Sequence, residues 1–310
     1  MFDFGSRGFV NVETSMRITR EMMLKVASDT VARQSRASRG LLAAYLCGSL
    51  LEEDYLLGGT GDIDLVYIYT APVEAPREII SLTDEVHLDI AHYYQGDFRD
   101  TRSLREHAWL GPALITCRIL YDPQHFMDFT QASVRGQFDR SDHIYKRASQ
   151  QLDQARSIWL HYQTSRVHPG PEDVLAYLQA LGYAANAVAS ISGKPLTDRR
   201  FLLQFPGRAE AFGKPGLHAG LLGLLGYPNL PEGTWSEWLP QWRSAYQAIP
   251  AAQASPRLHP ARLAYYLSAF TSLGAGPQPE TALWPLLRTW TMAAGYHPPD
   301  SRERRAGHQA

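Results

Sequence analysis

Two aspartates one residue apart, Asp62 and Asp64, are the side chains in this sequence whose spacing most directly suggests chemistry. They open the run Asp62-Ile63-Asp64-Leu65-Val66-Tyr67-Ile68-Tyr69, which has the composition of a buried strand. Strand residues two apart point to the same face, with Cα atoms roughly 6–7 Å apart. Both carboxylates therefore project together from an otherwise apolar element. Such a pair suffers desolvation and mutual repulsion unless a cation or a proton sits between them. A hard divalent ion with oxygen ligands, Mg²⁺ above all, relieves both. Upstream, Gly48-Ser49 leaves a second apolar run, residues 42–47, and offers free backbone N–H groups and a hydroxyl suited to a phosphate oxygen. The alternative, that Asp merely marks a turn, suits Asp62 better than Asp64, which lies between Ile63 and Leu65.

In the strand-like run 85–93, Glu85, His87 and Asp89 share one face and Val86, Leu88 and Ile90 the other. His87 reads first as a partly exposed, structurally satisfied side chain and second as a neighbour of the carboxylates. Glu52, Glu53 and Asp54 read as solvated charges. Gly58-Gly59-Thr60-Gly61 gives the chain freedom to bring the Asp pair close to a ligand.

Gly48-Ser49, a twelve-residue spacer and Asp62-x-Asp64 resemble the signature of the DNA polymerase beta nucleotidyltransferase superfamily. The resemblance spans residues 41–90 in its motifs and 15–122 in layout. It implies a mixed β-sheet with flanking helices, one or two Mg²⁺ ions held by Asp62, Asp64 and Asp89, and an NTP, with ATP the expected donor. Gly48 and Ser49 would grip the phosphates. Asp89 would complete a metal site or serve as general base, with the metal role preferred. The helical continuation of the chain is similar in layout to the antibiotic-modifying branch, the kanamycin and streptomycin nucleotidyltransferases. In that reading the helical part supplies acceptor and phosphate contacts, with Lys194 and Arg199 as nucleotide-binding candidates. Taken singly, Lys146, Lys194, Arg199 and Arg200 read as surface charges.

The elements that must position these residues follow from pattern. A helix capped at Thr14 or Ser15 runs to about residue 37 and buries Ile18, Met22 and Val26, with Arg17, Arg20 and Lys25 in solvent. Residues 70–77 read as a loop and 78–84 as a connection. A helix is expected at 99–109, a fourth strand at 113–120 and a helix through Val134. Helical patterns then recur at 141–163, 172–192, 208–225, 236–248, 259–272 and 281–294. This divides the chain into an α/β catalytic domain (1–137), an all-helical domain (138–296) and a polar tail (297–310) expected to lack order. Val174, Leu178, Leu181 and Ala185 trace the apolar face of a buried helix rather than a membrane crossing. Trp159, Trp235, Trp238 and Trp242 read as helix packing.

The 310 residues carry 30 Lys plus Arg against 31 Asp plus Glu, so no global basic field points to a nucleic-acid partner. Cys47 and Cys117, the only cysteines, sit in apolar runs and read as reduced core residues of a cytoplasmic protein. The amino terminus lacks a long apolar segment, and a secretory signal is not expected. The expected activity is Mg²⁺-dependent transfer of AMP to a small hydroxylated acceptor, with a homodimer allowed. Transfer to a protein or RNA, or a silent nucleotide-binding module, are the alternatives.

Overall fold

The computed structural model describes residues 18–164, 170–231 and 233–297. Its amino-terminal part is built on a mixed five-stranded sheet: β1 (Leu41–Cys47), β2 (Gly61–Tyr69), β3 (Arg77–Ser81), β4 (Val86–Tyr94) and β5 (Arg118–Tyr121). The order is β3-β4-β2-β1-β5. β2 and β4 run parallel, and the other neighbouring pairs are antiparallel. β1 and β2 are apolar nearly throughout because helices cover both faces. On one face α1 (Arg20–Ala37) packs Met23, Ala27 and Val31 against Leu46, Ile63 and Leu65. On the other, Leu104, Leu114, Met127 and Val134 cover Leu42, Tyr45, Val66 and Ile68. They come from α2 (Thr101–Glu106), α3 (Leu110–Thr116) and α4 (Phe126–Arg135).

Several expectations need correction. Thr19 caps α1 through its side chain; the caps expected at Thr14 or Ser15 lie outside the described residues. The buried stripe of α1 is displaced by one residue, and Met22 is exposed. Adjacent Met22 and Met23 give two equally apolar stripes, and only packing chooses between them. β3 replaces the expected connection. It is a short edge strand with mostly exposed side chains, in which Arg77, Glu78 and Ser81 leave only Ile79 and Ile80 as an apolar signal. The expected strand at 113–120 is divided between α3 and the short β5. A short apolar run does not distinguish a strand from a buried helix, and Pro112 is tolerated in a first helical turn. The helix expected at 99–109 shortens to α2. The Asp100 carboxylate caps its start, and His107 Nδ1 accepts from the Trp109 and Leu110 N–H groups beyond its end.

From residue 141 onward the described chain is helical apart from turns: α5 (Ser141–Thr164), α6 (Pro171–Ser192), α7 (Phe201–Ala211), α8 (Gly216–Leu224), α9 (Thr234–Gln247), α10 (Leu263–Gly274) and α11 (Leu283–Gly295). The single helix expected at 208–225 is α7 and α8, broken at Gly213, which has φ +75°. α6 is long and apolar enough to cross a membrane. It is packed between α5, α7 and α11, with Leu178, Ala185 and Ala189 in a core closed by Phe201 and Trp284. Trp242 and Trp290 centre a second core, where Trp235 and Trp238 also pack. Trp159 is 57 % exposed and does not pack as expected. Cys47 and Cys117 are free thiols at the sheet.

Candidate active site

The sheet and the helical part face each other across a cleft of about 760 Å³. Gly48, Ser49, Asp62, Asp64 and Asp89 line its sheet side, as the sequence suggests. Backbone register explains why they meet. β1 pairs Cys47 with Asp64, and the parallel β2–β4 ladder sets Asp64 beside Asp89 and Asp62 beside His87. Gly48 then turns the chain with φ +80° and ψ −165°, a conformation essentially restricted to glycine. A Cβ at Gly48 would lie 1.9 Å from Asp64 Oδ2, so the missing side chain is the space the carboxylate occupies. The Ser49 hydroxyl donates to the Tyr55 carbonyl at 3.3 Å and keeps its lone pairs for another donor.

The two motif aspartates differ electrostatically. Asp62 Oδ1 is buried without a hydrogen bond, 3.4 Å from His87 Nε2 and 3.8 Å from Arg199 Nη1. Burial pushes the Asp62 carboxyl up, but the positive charge of Arg199, with Arg262 behind it, outweighs burial and holds the group below its usual range. Asp64 is pushed up to about 8, first by burial and then by the negative charges of Asp62 and Asp89. It is the carboxylate the protein leaves uncompensated.

His87 corrects an expectation: it is fully buried, its ring nitrogens lack hydrogen bonds, and it meets Tyr265 edge-on at 4.4 Å. Burial lowers its pKa to about 4 in spite of Asp62, so the ring is neutral near pH 7. Arg199 and Arg200 are likewise not surface charges. Arg199 sits over the Tyr265 ring at 4.2 Å and donates to the Tyr265 hydroxyl, to the Leu57 carbonyl at 2.7 Å and to Thr60 Oγ1 at 2.5 Å. It thereby locks the tight turn in which Gly58 and Gly59 have positive φ and Leu57 and Thr60 exchange backbone hydrogen bonds. Arg200 is buried and donates to the Asp54 carbonyl. Lys194 reaches Glu52 at 3.3 Å and is half exposed, while Lys146 pairs with Glu106 away from the cleft, as a surface charge would. Glu52 and Asp54 are thus tied to the helical part rather than simply solvated.

Asp89 lies where the sequence places it, but its oxygens are taken. Arg77 grips it with two nitrogens, at 2.5 and 2.7 Å, and Arg262 donates to the same carboxylate. A second aspartate, Asp198, is bracketed in the same way by Arg257 and Arg288. Sequence reasoning missed Arg77, Arg257, Arg262, Arg288, Asp198 and Tyr265. Asp198 adjoins the Arg199-Arg200 pair and carried that faint signal; the others stand in ordinary helix and loop context.

Among the described residues, no group of three or more His, Cys, Asp or Glu side chains comes together as a metal cluster. The pair Asp62 and Asp64 does fit a hard divalent cation. One has an orphaned buried oxygen, and the other has a carboxyl raised by uncompensated negative charge. Asp89 does not offer a free oxygen to the same ion in this arrangement. No family model matches the chain, and no curated protein matches it.

Proposed function

We propose that the protein is a Mg²⁺-dependent nucleotidyltransferase that moves AMP from ATP to a hydroxyl of a small molecule, releasing pyrophosphate. The observation that carries this reading is the Asp62–Asp64 pair, in which Asp64 lacks a compensating cation, set against the Gly48 turn at the wall of a cleft. The mixed sheet, with Gly-Ser leaving β1 and both aspartates on β2, supports the resemblance to the polymerase beta superfamily. The free thiols Cys47 and Cys117 support a cytoplasmic home.

In this mechanism Asp62 and Asp64 would hold Mg²⁺, which would supply positive charge to the triphosphate and to the attacking and leaving oxygens. The Gly48–Ser49 backbone and the Ser49 hydroxyl bind phosphate oxygens. Arg199 fixes the Leu57–Thr60 turn, and with it the start of β2, so that the aspartates do not swing away. Its charge also keeps Asp62 ionised. His87, neutral and enclosed, excludes water behind Asp62 without adding a competing cation. The acceptor oxygen attacks the α-phosphorus, the bond to pyrophosphate breaks, and the hydroxyl proton passes to solvent. Both Asp89 oxygens already accept from guanidinium groups and are committed to Arg77 and Arg262 rather than to the acceptor proton.

The test is Mg²⁺-dependent pyrophosphate release from each of the four NTPs with a panel of hydroxylated acceptors and Asp64→Asn as control. Release from ATP tied to one acceptor and absent in Asp64→Asn is the expected result. Failure of every NTP to bind with Mg²⁺ would overturn the reading.

A further inference from the structure

The charge of the cleft bears on the acceptor. Six guanidinium groups line it against four carboxylates, and the arginines are organised around the aspartates. Arg77 and Arg262 share Asp89; Arg257 and Arg288 share Asp198. Each cluster has two positive charges on one negative charge and is therefore left with a surplus cation. Neither surplus is fully used within the protein. Arg262 and Arg288 each keep a buried Nε with no hydrogen-bond partner, and the Arg262 side chain is more than nine-tenths buried. Arg257 and Arg288 each place one nitrogen on Asp198, and both side chains line the cleft wall.

The Asp198 cluster is also distinct from the groups around Gly48-Ser49. Lys194, Arg199 and Arg200 attach to Glu52, to the Leu57–Thr60 turn and to the Asp54 carbonyl, all on the chain that follows Ser49. Arg288 instead lies over Trp284 on α11, and Trp284 stacks on Phe201. A basic fork held rigidly at the cleft wall is equipment for a small anionic molecule. It is the wrong equipment for an ammonium-rich one. Apart from Asp62 and Asp64, the cleft's carboxylates are already paired with arginine, which leaves no further carboxylate for an ammonium group.

We infer that the acceptor is a small hydroxylated anion whose carboxylate or phosphate is bound by Arg257 and Arg288 at Asp198. The inference rests on the nucleotidyl-transfer reading, narrows its acceptor class and turns it away from aminoglycosides.

Calorimetric titration tests it on the full chain saturated with Mg²⁺ and adenosine 5′-(α,β-methylene)triphosphate, which cannot transfer AMP. The titrants are glycerol 3-phosphate, glycerate, glycerol and an aminoglycoside. At least one anion should bind about tenfold or more tighter than glycerol, as expected for charge-assisted hydrogen bonds, and the two anions together tell phosphate from carboxylate. Arg288→Gln, and separately the more exposed Arg257→Gln, should weaken that anion by about tenfold while the nucleotide analogue binds as before. Tighter binding of the aminoglycoside, no preference for either anion over glycerol, or loss of analogue rather than anion affinity in both variants would overturn the inference. If the analogue itself does not bind, the nucleotidyl-transfer reading fails first.

Discussion

The two pairs of aspartates in the cleft are handled in opposite ways. Asp89 and Asp198 are each held by two arginines, with every strong contact made inside the protein. Asp62 and Asp64 share a weaker environment, in which one oxygen is orphaned and one carboxyl is pushed to about 8. Buried charge is costly unless it is compensated. The fold thus compensates Asp89 and Asp198 fully and Asp62 through Arg199, and leaves Asp64 to an incoming cation. That difference, more than the presence of carboxylates, marks where a ligand belongs.

The largest effect is expected from Asp64→Asn. It should reduce AMP transfer on the order of a hundredfold to a thousandfold, in keeping with several kcal/mol of metal stabilisation. The same change should raise stability at alkaline pH in the absence of divalent ions. Because the native Asp64 holds a proton that the unfolded chain releases above its ordinary value of 3.8, its contribution is full at low pH and is lost as pH rises through about 8. Melting temperatures measured without Mg²⁺ should therefore fall more for the wild type than for Asp64→Asn as pH is raised from neutral to about 9. Added Mg²⁺ should restore the wild type alone. Equal alkaline losses in both proteins would mean that Asp64 is compensated after all. His87 acts in the other direction. Its pKa of about 4 adds stability above its ordinary value near 6.5, lost as pH falls toward 4.

On the compensated side, Arg262→Met removes one of the two cations on Asp89 and leaves a buried carboxylate short of charge. A loss of about 3 kcal/mol is expected in urea unfolding. A neutral result would show that Arg77 alone satisfies Asp89. Gly48→Ala should cost about 1–3 kcal/mol from the backbone conformation. It should also lose turnover, because the added Cβ occupies the place of Asp64 Oδ2. An active, stable alanine variant would show that the turn relaxes freely. The smallest effect belongs to Ser49→Ala, which should weaken NTP affinity by about 1 kcal/mol with little change in melting temperature. Nucleotide titration checks it.

The legibility of the site follows the same division. Residue type and strand period alone placed Asp62 and Asp64 on one face of β2, Asp89 on β4 and Gly48-Ser49 at the end of β1. Local sequence encodes these because alternation is a property of the backbone. The buried core strands and the change from sheet to helices were readable for the same reason, as apolar runs and helical periods. The edge strand β3, with its polar exterior, and the boundary between α3 and β5 were not, since neither carries a distinguishing period. Tertiary structure alone decided which carboxylates would be neutralised. Arg262 reaches Asp89 across 173 residues of chain and Arg288 reaches Asp198 across 90, distances over which no local pattern reports on a partner. Burial, likewise, turned His87 from an ordinary strand histidine into a neutral ring behind Asp62. Strand alternation sets where the reactive side chains point; packing of the helical part against the sheet sets their charge.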